Sequence, residues 1–318
     1  MQHFLASRQG EDIPIKHLYT EYRHWLETTK PFPNVTAEFA ALARQGDDFR
    51  RIIAPVQGDI VYGLCSFLEA YDIRTAYPLL LALMDADLDD DGWQEMSSIL
   101  ESYLLRRAVC NLGTKNYNRI FLGLARNLRK DGFSAARLKE LLHAQTGDSG
   151  LWPDDAMFRE AWRHNQLYGP LNSPKLVHLY GRLKQTFMSS KSENLAFNEP
   201  PTVEHIMPQN WEANWPLRDG SKGMGFVELF DATETDPRAV ATRKRMAAVQ
   251  TLGNLTLLSS ALNSAQSNLP WDQKRKEMAK HSLLPINQTL LDEPYWNEET
   301  ILKRGDYLFQ RALKIWLR

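Results

Sequence analysis

Three observations predict a mainly α chain with a small α+β part. Apolar residues recur at helical spacing through the first two thirds of the sequence. A polar run over residues 189–201, ending in Pro200 and Pro201, then breaks the pattern. Beyond it lie two short β-type segments, 202–206 and 255–258. A chain of 318 residues is long for one core. The boundary is placed in the polar run, giving a helical domain over residues 1–195 and a strand-bearing domain over 196–318.

Each element has a local reason. Helical patterns cover residues 18–26, 37–43, 60–71, 93–109 and 135–142, with Gly and Pro between them at Pro31, Pro33, Pro55, Gly58, Pro78, Gly92, Gly132 and Gly147. Tyr117, Ile120, Phe121, Leu124 and Leu128 form one apolar stripe, and Leu176, Leu179, Tyr180, Leu183 and Phe187 another. The second stripe starts with Ser173 as expected N-cap and Pro174 at the first helical position. In the last third, Asp236 and Pro237 open a helix to about residue 249, and Pro270 opens one to about 280. A final helix, about 297–317, carries an apolar face so broad that burial between the domains is expected.

Composition excludes several classes. The chain is 43% hydrophobic and 24% charged, as in globular proteins. Its apolar runs are too short to span a bilayer, and the first residues lack a signal-peptide layout, so no membrane partner and a cytoplasmic location are expected. Cys65 and Cys110 read as free thiols. A net charge of -1 means that any nucleic-acid surface is a local patch. Such a patch is suggested by nine Lys or Arg over residues 101–139 against two acidic residues, with Arg119 and Arg126 facing away from the apolar stripe; a solvated helix face is the competing reading. Asp87, Asp89, Asp91 and Gly92 open like a calcium loop, but Ser98 stands where the bidentate Glu is needed, so a plain inter-helix loop is expected. Trp211 and Trp215 read as core or loop anchors, with base stacking as the other possibility.

The strongest chemical signal is Glu204-His205-Ile206-Met207-Pro208 at the end of the first strand, then Leu252 to Leu258 with Asn254, then Asn263. Phosphodiester hydrolysis needs a base for water and neutralisation of charge on the phosphoryl and leaving oxygens. A neutral histidine suits the first task. Glu and Asn oxygens suit a hard cation, Mg²⁺ with Mn²⁺ as substitute, for the second. His205 is therefore assigned as general base, and Glu204 and Asn263 as metal ligands. Asn254 is counted in the catalytic set as the residue that ties the connecting loop to the strands and aims His205. Asn268, Lys274 and Arg275 are candidate nucleic-acid contacts. Neighbours on a strand point to opposite faces, so Glu204 and His205 share a site only if the strand ends or bulges there; Pro208 favours an early end. This constellation resembles the active site of an HNH, or ββα-metal, nuclease.

The segment from Glu204 to Trp211, the run Leu252 to Leu258, Asn263, Ser267-Asn268, Lys274 and the stretch from Ile301 to Arg304 resemble the C-terminal nuclease domain of GmrSD-type restriction enzymes, also found in SspE-like defence proteins. The HNH domain of RNA-guided DNA cleavers is similar around the His-Ile stretch and the two asparagines. The helical region, with Arg106 and Arg107, resembles the part that precedes the nuclease in the same family, so these two join the expected nucleic-acid contacts. The resemblance implies a modification-dependent DNA endonuclease of an anti-phage system, with an NTP-dependent sensor domain or subunit as partner. The sensor's motifs are missing from this sequence, so the chain is expected to be a C-terminal part or one subunit of a split system. Glu204 stands where Asp is common, which leaves direct ligation and ligation through water both open. One HNH site cuts one strand, so nicking is expected unless a homo-oligomer forms. The rival readings are a non-catalytic DNA-binding or docking module with a relic site, and an RNA nuclease.

Overall fold

The computed structural model describes residues 1–188 and 199–318. The expected boundary at 195/196 lies outside the described residues, as does most of the polar run. Of the described residues 62% are helical and one small sheet is present, mainly α as the sequence predicts. The described helices are α1 (Gln2–Gln9), α2 (Leu18–Thr29), α3 (Val35–Ile53), α4 (Tyr62–Tyr71), α5 (Tyr77–Met84), α6 (Asp90–Val109), α7 (Tyr117–Asp131), α8 (Ala135–His143), α9 (Asp155–His164), α10 (Ser173–Gln185), α11 (Phe226–Asp231), α12 (Pro237–Val249), α13 (Ser260–Gln266), α14 (Trp271–His281), α15 (Pro285–Gln288) and α16 (Glu298–Ile315). Strands β1 (Thr202–His205) and β2 (Leu255–Leu258) pair antiparallel. Among the described residues no helix is long and apolar enough to cross a membrane.

The chain divides into two compact units: residues 1–107, 112–153 and 316–318, and residues 108–111 with 154–315. The division near 153/154 puts α9 and α10 with the strands, whereas the sequence reading grouped them with the helical domain.

In the first unit the α7 stripe is buried as its spacing requires. Helix α5 is buried all round, Pro78 through Leu83, so it carries no amphipathic period and escaped the periodicity argument. Asn34 and Ser134 cap α3 and α8 by accepting from Ala37 N–H and Arg137 N–H. Asp85, at the head of the acidic run, is half-buried and receives Arg8 at 2.6 Å, Arg129 at 3.2 Å and Arg44. Arg106 and Arg107, expected to meet nucleic acid, are instead fully buried. Arg106 donates to the carbonyls of Trp316 and Pro153, and Arg107 to those of Leu151, Gly113 and Asp148. Their signal in the sequence was charge; their work here is to satisfy turn carbonyls.

The second unit is built around β1 and β2. Thr202, Val203, Glu204 and His205 face Leu258, Leu257, Thr256 and Leu255. Ile206, Met207, Trp211, Trp215, Leu258, Trp271 and Trp296 lie in one core cluster, so both tryptophans near β1 are packing residues and not free for base stacking. Helix α10 begins one residue earlier than expected: its cap is Asn172, which accepts from Lys175 N–H, so Ser173 is the first helical residue and Pro174 the second. Asp236 caps α12, accepting from Arg238 N–H and Ala239 N–H. The turn before β2 presses against α16: a Cβ on Gly253 would sit 2.1 Å from the Ile301 carbonyl oxygen, so only glycine fits. Arg304 of α16, buried, donates to the carbonyls of Gly253 and Leu255 and locks that approach.

Candidate active site

Strand pairing is regular up to His205 and stops there. The early end, not a bulge, is how the strand presents its last residues. The chain leaving β1 is held by one residue. Asn254 is fully buried; its backbone carbonyl accepts from Ile206 N–H at 2.9 Å. Its side-chain oxygen accepts from Met207 N–H and Trp296 Nε1–H, each at 2.9 Å. Its amide nitrogen donates to the carbonyls of Met207 and Val249 at 2.8 and 2.9 Å. Every polar group of this side chain is used internally, so Asn254 acts on the site through the backbone it ties.

A buried ion pair and a backbone carbonyl meet at the end of β1. Lys274, on α14, is buried completely and donates to Glu204 Oε1 at 2.5 Å and to the His205 carbonyl at 2.9 Å. It was expected to meet DNA phosphates; the structure turns it inward, onto the strand. Burial raises the Glu204 carboxyl and lowers the Lys274 ammonium from their usual ranges, each opposed by the partner's charge. The His205 imidazole is pushed down to about 4, first by burial, with the Lys274 charge adding and a bond to Gln250 opposing. It is therefore neutral near pH 7.

The imidazole is fixed on its edge and its face. Nε2 lies 3.2 Å from Gln250 Oε1, and the Tyr168 ring packs edge-on at a centroid distance of 4.3 Å. Nδ1 makes no hydrogen bond to the described residues. Asn263 lies on α13, directly after β2, and its amide nitrogen donates to Thr202 Oγ1 at 2.9 Å and to the Val203 carbonyl at 3.2 Å. The Asn263 side chain thus reaches the strand that carries His205, and its Oδ1 has no partner among the described residues. Glu204 and His205 lie on β1 and Asn263 on α13, the helix after β2, with α11 and α12 in the connection between the strands.

The remaining candidates are spread wider. Asn268 is exposed, and its carbonyl accepts from Asn214. Arg275 is half-buried and leans on the carbonyls of Leu291 and Glu293. Arg119 and Arg126 are exposed on α7 of the first unit. Gln250, Gln209 and Tyr168 were not anticipated. Gln209 lies in the segment that follows His205 and Gln250 just before the Leu252 run, so proximity to both motifs was their available signal; Tyr168 had none.

Oxygen donors near β1 are few. Among the described residues no group of three His, Cys, Asp or Glu could enclose a metal. What is present is one carboxylate, sharing an oxygen with Lys274, and one open amide oxygen. Such a set suits a hard ion that keeps much of its water, and does not suit a closed zinc cage.

The stretch that holds these residues matches a family of restriction endonucleases, which makes the chain a nuclease of that type acting on DNA. The family is that of the GmrSD restriction endonucleases, and the chain belongs to it: residues 152–311, half of the sequence, match its C-terminal domain. The match begins within two residues of the second unit's main segment. No curated protein matches the chain.

Proposed function

We propose that this chain is a Mg²⁺-dependent HNH endonuclease that nicks DNA, the cutting part of an anti-phage restriction system. The observation that carries the reading is a neutral imidazole, clamped at the end of β1, with the Asn263 amide bonded to the same strand. His205 takes the proton from the attacking water. Asn263 Oδ1 and a Glu204 oxygen would hold the cation, Glu204 directly or through water. A bound Mg²⁺ would neutralise the phosphoryl oxygens and the leaving oxygen. Lys274 opposes the effect of burial on the Glu204 carboxyl and holds it in place, and Asn254 keeps His205 at the strand end. Cleavage by water attack on phosphorus with departure of the 3′ oxygen leaves a 5′-phosphate and a 3′-hydroxyl.

The test is nicking of supercoiled plasmid with Mg²⁺ or Mn²⁺ by wild type and His205→Ala. Loss of a general base is expected to cost roughly 10²–10⁴-fold in rate. Equal cutting by both proteins, or binding without cutting by both, rejects the proposal. Preferential cutting of a matched RNA would move the substrate to RNA.

A further inference from the structure

We propose that Gln250 is the positioning residue that sets the tautomer of His205, so that Nδ1 is the nitrogen offered to water. The inference rests on the reading of His205 as the base and adds which of its two nitrogens acts and what chooses it.

A neutral imidazole carries one N–H and one lone pair, and the partner of one nitrogen decides the role of the other. The partner of Nε2 is the side-chain oxygen of Gln250, at 3.2 Å. That oxygen also accepts from Gln209 Nε2 at 3.4 Å. In this arrangement the amide oxygen accepts from both neighbours, and turning over Gln250 alone would set its NH₂ against the NH₂ of Gln209. An oxygen cannot donate, so the His205 nitrogen facing it must carry the proton. The lone pair is left on Nδ1, which makes no bond to the described residues.

Gln250 is also well placed to hold this arrangement. It caps the C-terminus of α12, with its N–H bonded back to Ala247 and Ala248. Its backbone carbonyl accepts from Leu167 N–H at 2.9 Å and Tyr168 N–H at 3.2 Å. Those bonds fix the segment whose Tyr168 ring meets the imidazole edge-on. One residue therefore orients the ring twice: its side chain holds the edge and its main chain holds the residue that covers the face. Four residues further on, Asn254 fixes the backbone that carries the imidazole.

The test uses the full chain with ¹⁵N-labelled histidine, and long-range ¹⁵N–¹H correlation at pH 7 without DNA or metal. His205 is assigned by the signal lost in His205→Ala. Wild type is expected to show Nε2 as the protonated nitrogen and Nδ1 as the bare one. Gln250→Leu keeps the backbone carbonyl and removes the acceptor; it is expected to give a mixture of tautomers and a 10–100-fold lower kcat for plasmid nicking, with KM for DNA unchanged. Gln250→Glu retains an acceptor and is expected to restore Nε2–H. Gln209→Leu, at an exposed position safe for folding, is expected to shift the tautomer part of the way. An Nδ1–H signal in wild type, or an unchanged tautomer in both Gln250→Leu and Gln209→Leu, overturns the proposal. A wild type that shows Nε2–H yet cuts no nucleic acid removes the base reading alone, so the two failures are told apart.

Discussion

Arg106 and Arg107 in the first unit and Lys274 in the second are all fully buried, yet the two residue types are used in different ways. In the first, Arg106 and Arg107 donate to the backbone carbonyls of turns. In the second, Lys274 is spent on one carboxylate and one carbonyl beside an imidazole. A guanidinium has five donors in a flat fork and can gather several carbonyls, which suits scaffolding. A lysine is a compact charge, and here it neutralises a single acid. The contrast teaches that burial and partner, not charge, separate a structural cation from one that serves a site.

The largest effect expected from this contrast is at the pair. Lys274→Met leaves Glu204 buried without its counter-charge, and the expected loss is about 3–5 kcal/mol in a urea unfolding experiment. Replacing both residues, Lys274→Met with Glu204→Gln, is expected to regain most of that stability while leaving the protein unable to nick. Failure of the double variant to recover would show that Lys274 holds the fold through the His205 carbonyl alone.

Arg107→Met sharpens the comparison from the other side. It removes charge-assisted bonds to three carbonyls, and the expected loss is about 3 kcal/mol. No second side-chain change is expected to restore it, because these three partners are backbone, with only the Tyr117 hydroxyl as a side-chain acceptor among the described residues. A compensating single substitution found by selection would break the distinction.

His205 provides a pH test. The folded imidazole takes a proton less readily than the unfolded one, falling from an ordinary 6.5 to about 4. Stability from burying it neutral is complete above 6.5 and declines as pH falls from 6.5 toward 4. The His205 ring proton shift in NMR is expected to stay flat from pH 8 to about 5 and to inflect near 4. An inflection between 6 and 7 would mean that the ring is open to water and not held as described.

Much of this was legible in the sequence, for identifiable reasons. The α7 stripe, the Asp236 cap and both strands announce themselves because amphipathic spacing, capping chemistry and β-branched alternation are local. Asn254 is legible as a tie because a side-chain amide beside a strand both donates and accepts and so can hold a connecting loop. Helix α5 was missed because an element buried all round has no period. Helix α13 is weakly marked in the sequence, since Ser-Ala-Leu-Asn-Ser-Ala-Gln has little apolar content, although Ser259 supplies a cap. The roles of Lys274, Arg106 and Gln250 could not be read, because each depends on a partner far along the chain: Glu204 is 70 residues from Lys274 and Gln250 is 45 from His205.

The smallest expected effect on stability belongs to the arginines left outside. Arg119 and Arg126 lie seven residues apart on α7, so they share a face, and neither forms an ion pair among the described residues. Removing both, Arg119→Ala with Arg126→Ala, is expected to change unfolding stability by no more than about 0.5 kcal/mol. If they touch the DNA backbone, the slope of log affinity against log salt is expected to shrink by roughly 1.8, since each phosphate contact contributes about 0.9. Arg107→Met, measured beside them, is expected to show the reverse: a large stability loss and, in the folded fraction, an unchanged slope. An unchanged slope in the double alanine variant would assign α7 a solvated face and leave DNA binding to the strand-bearing unit.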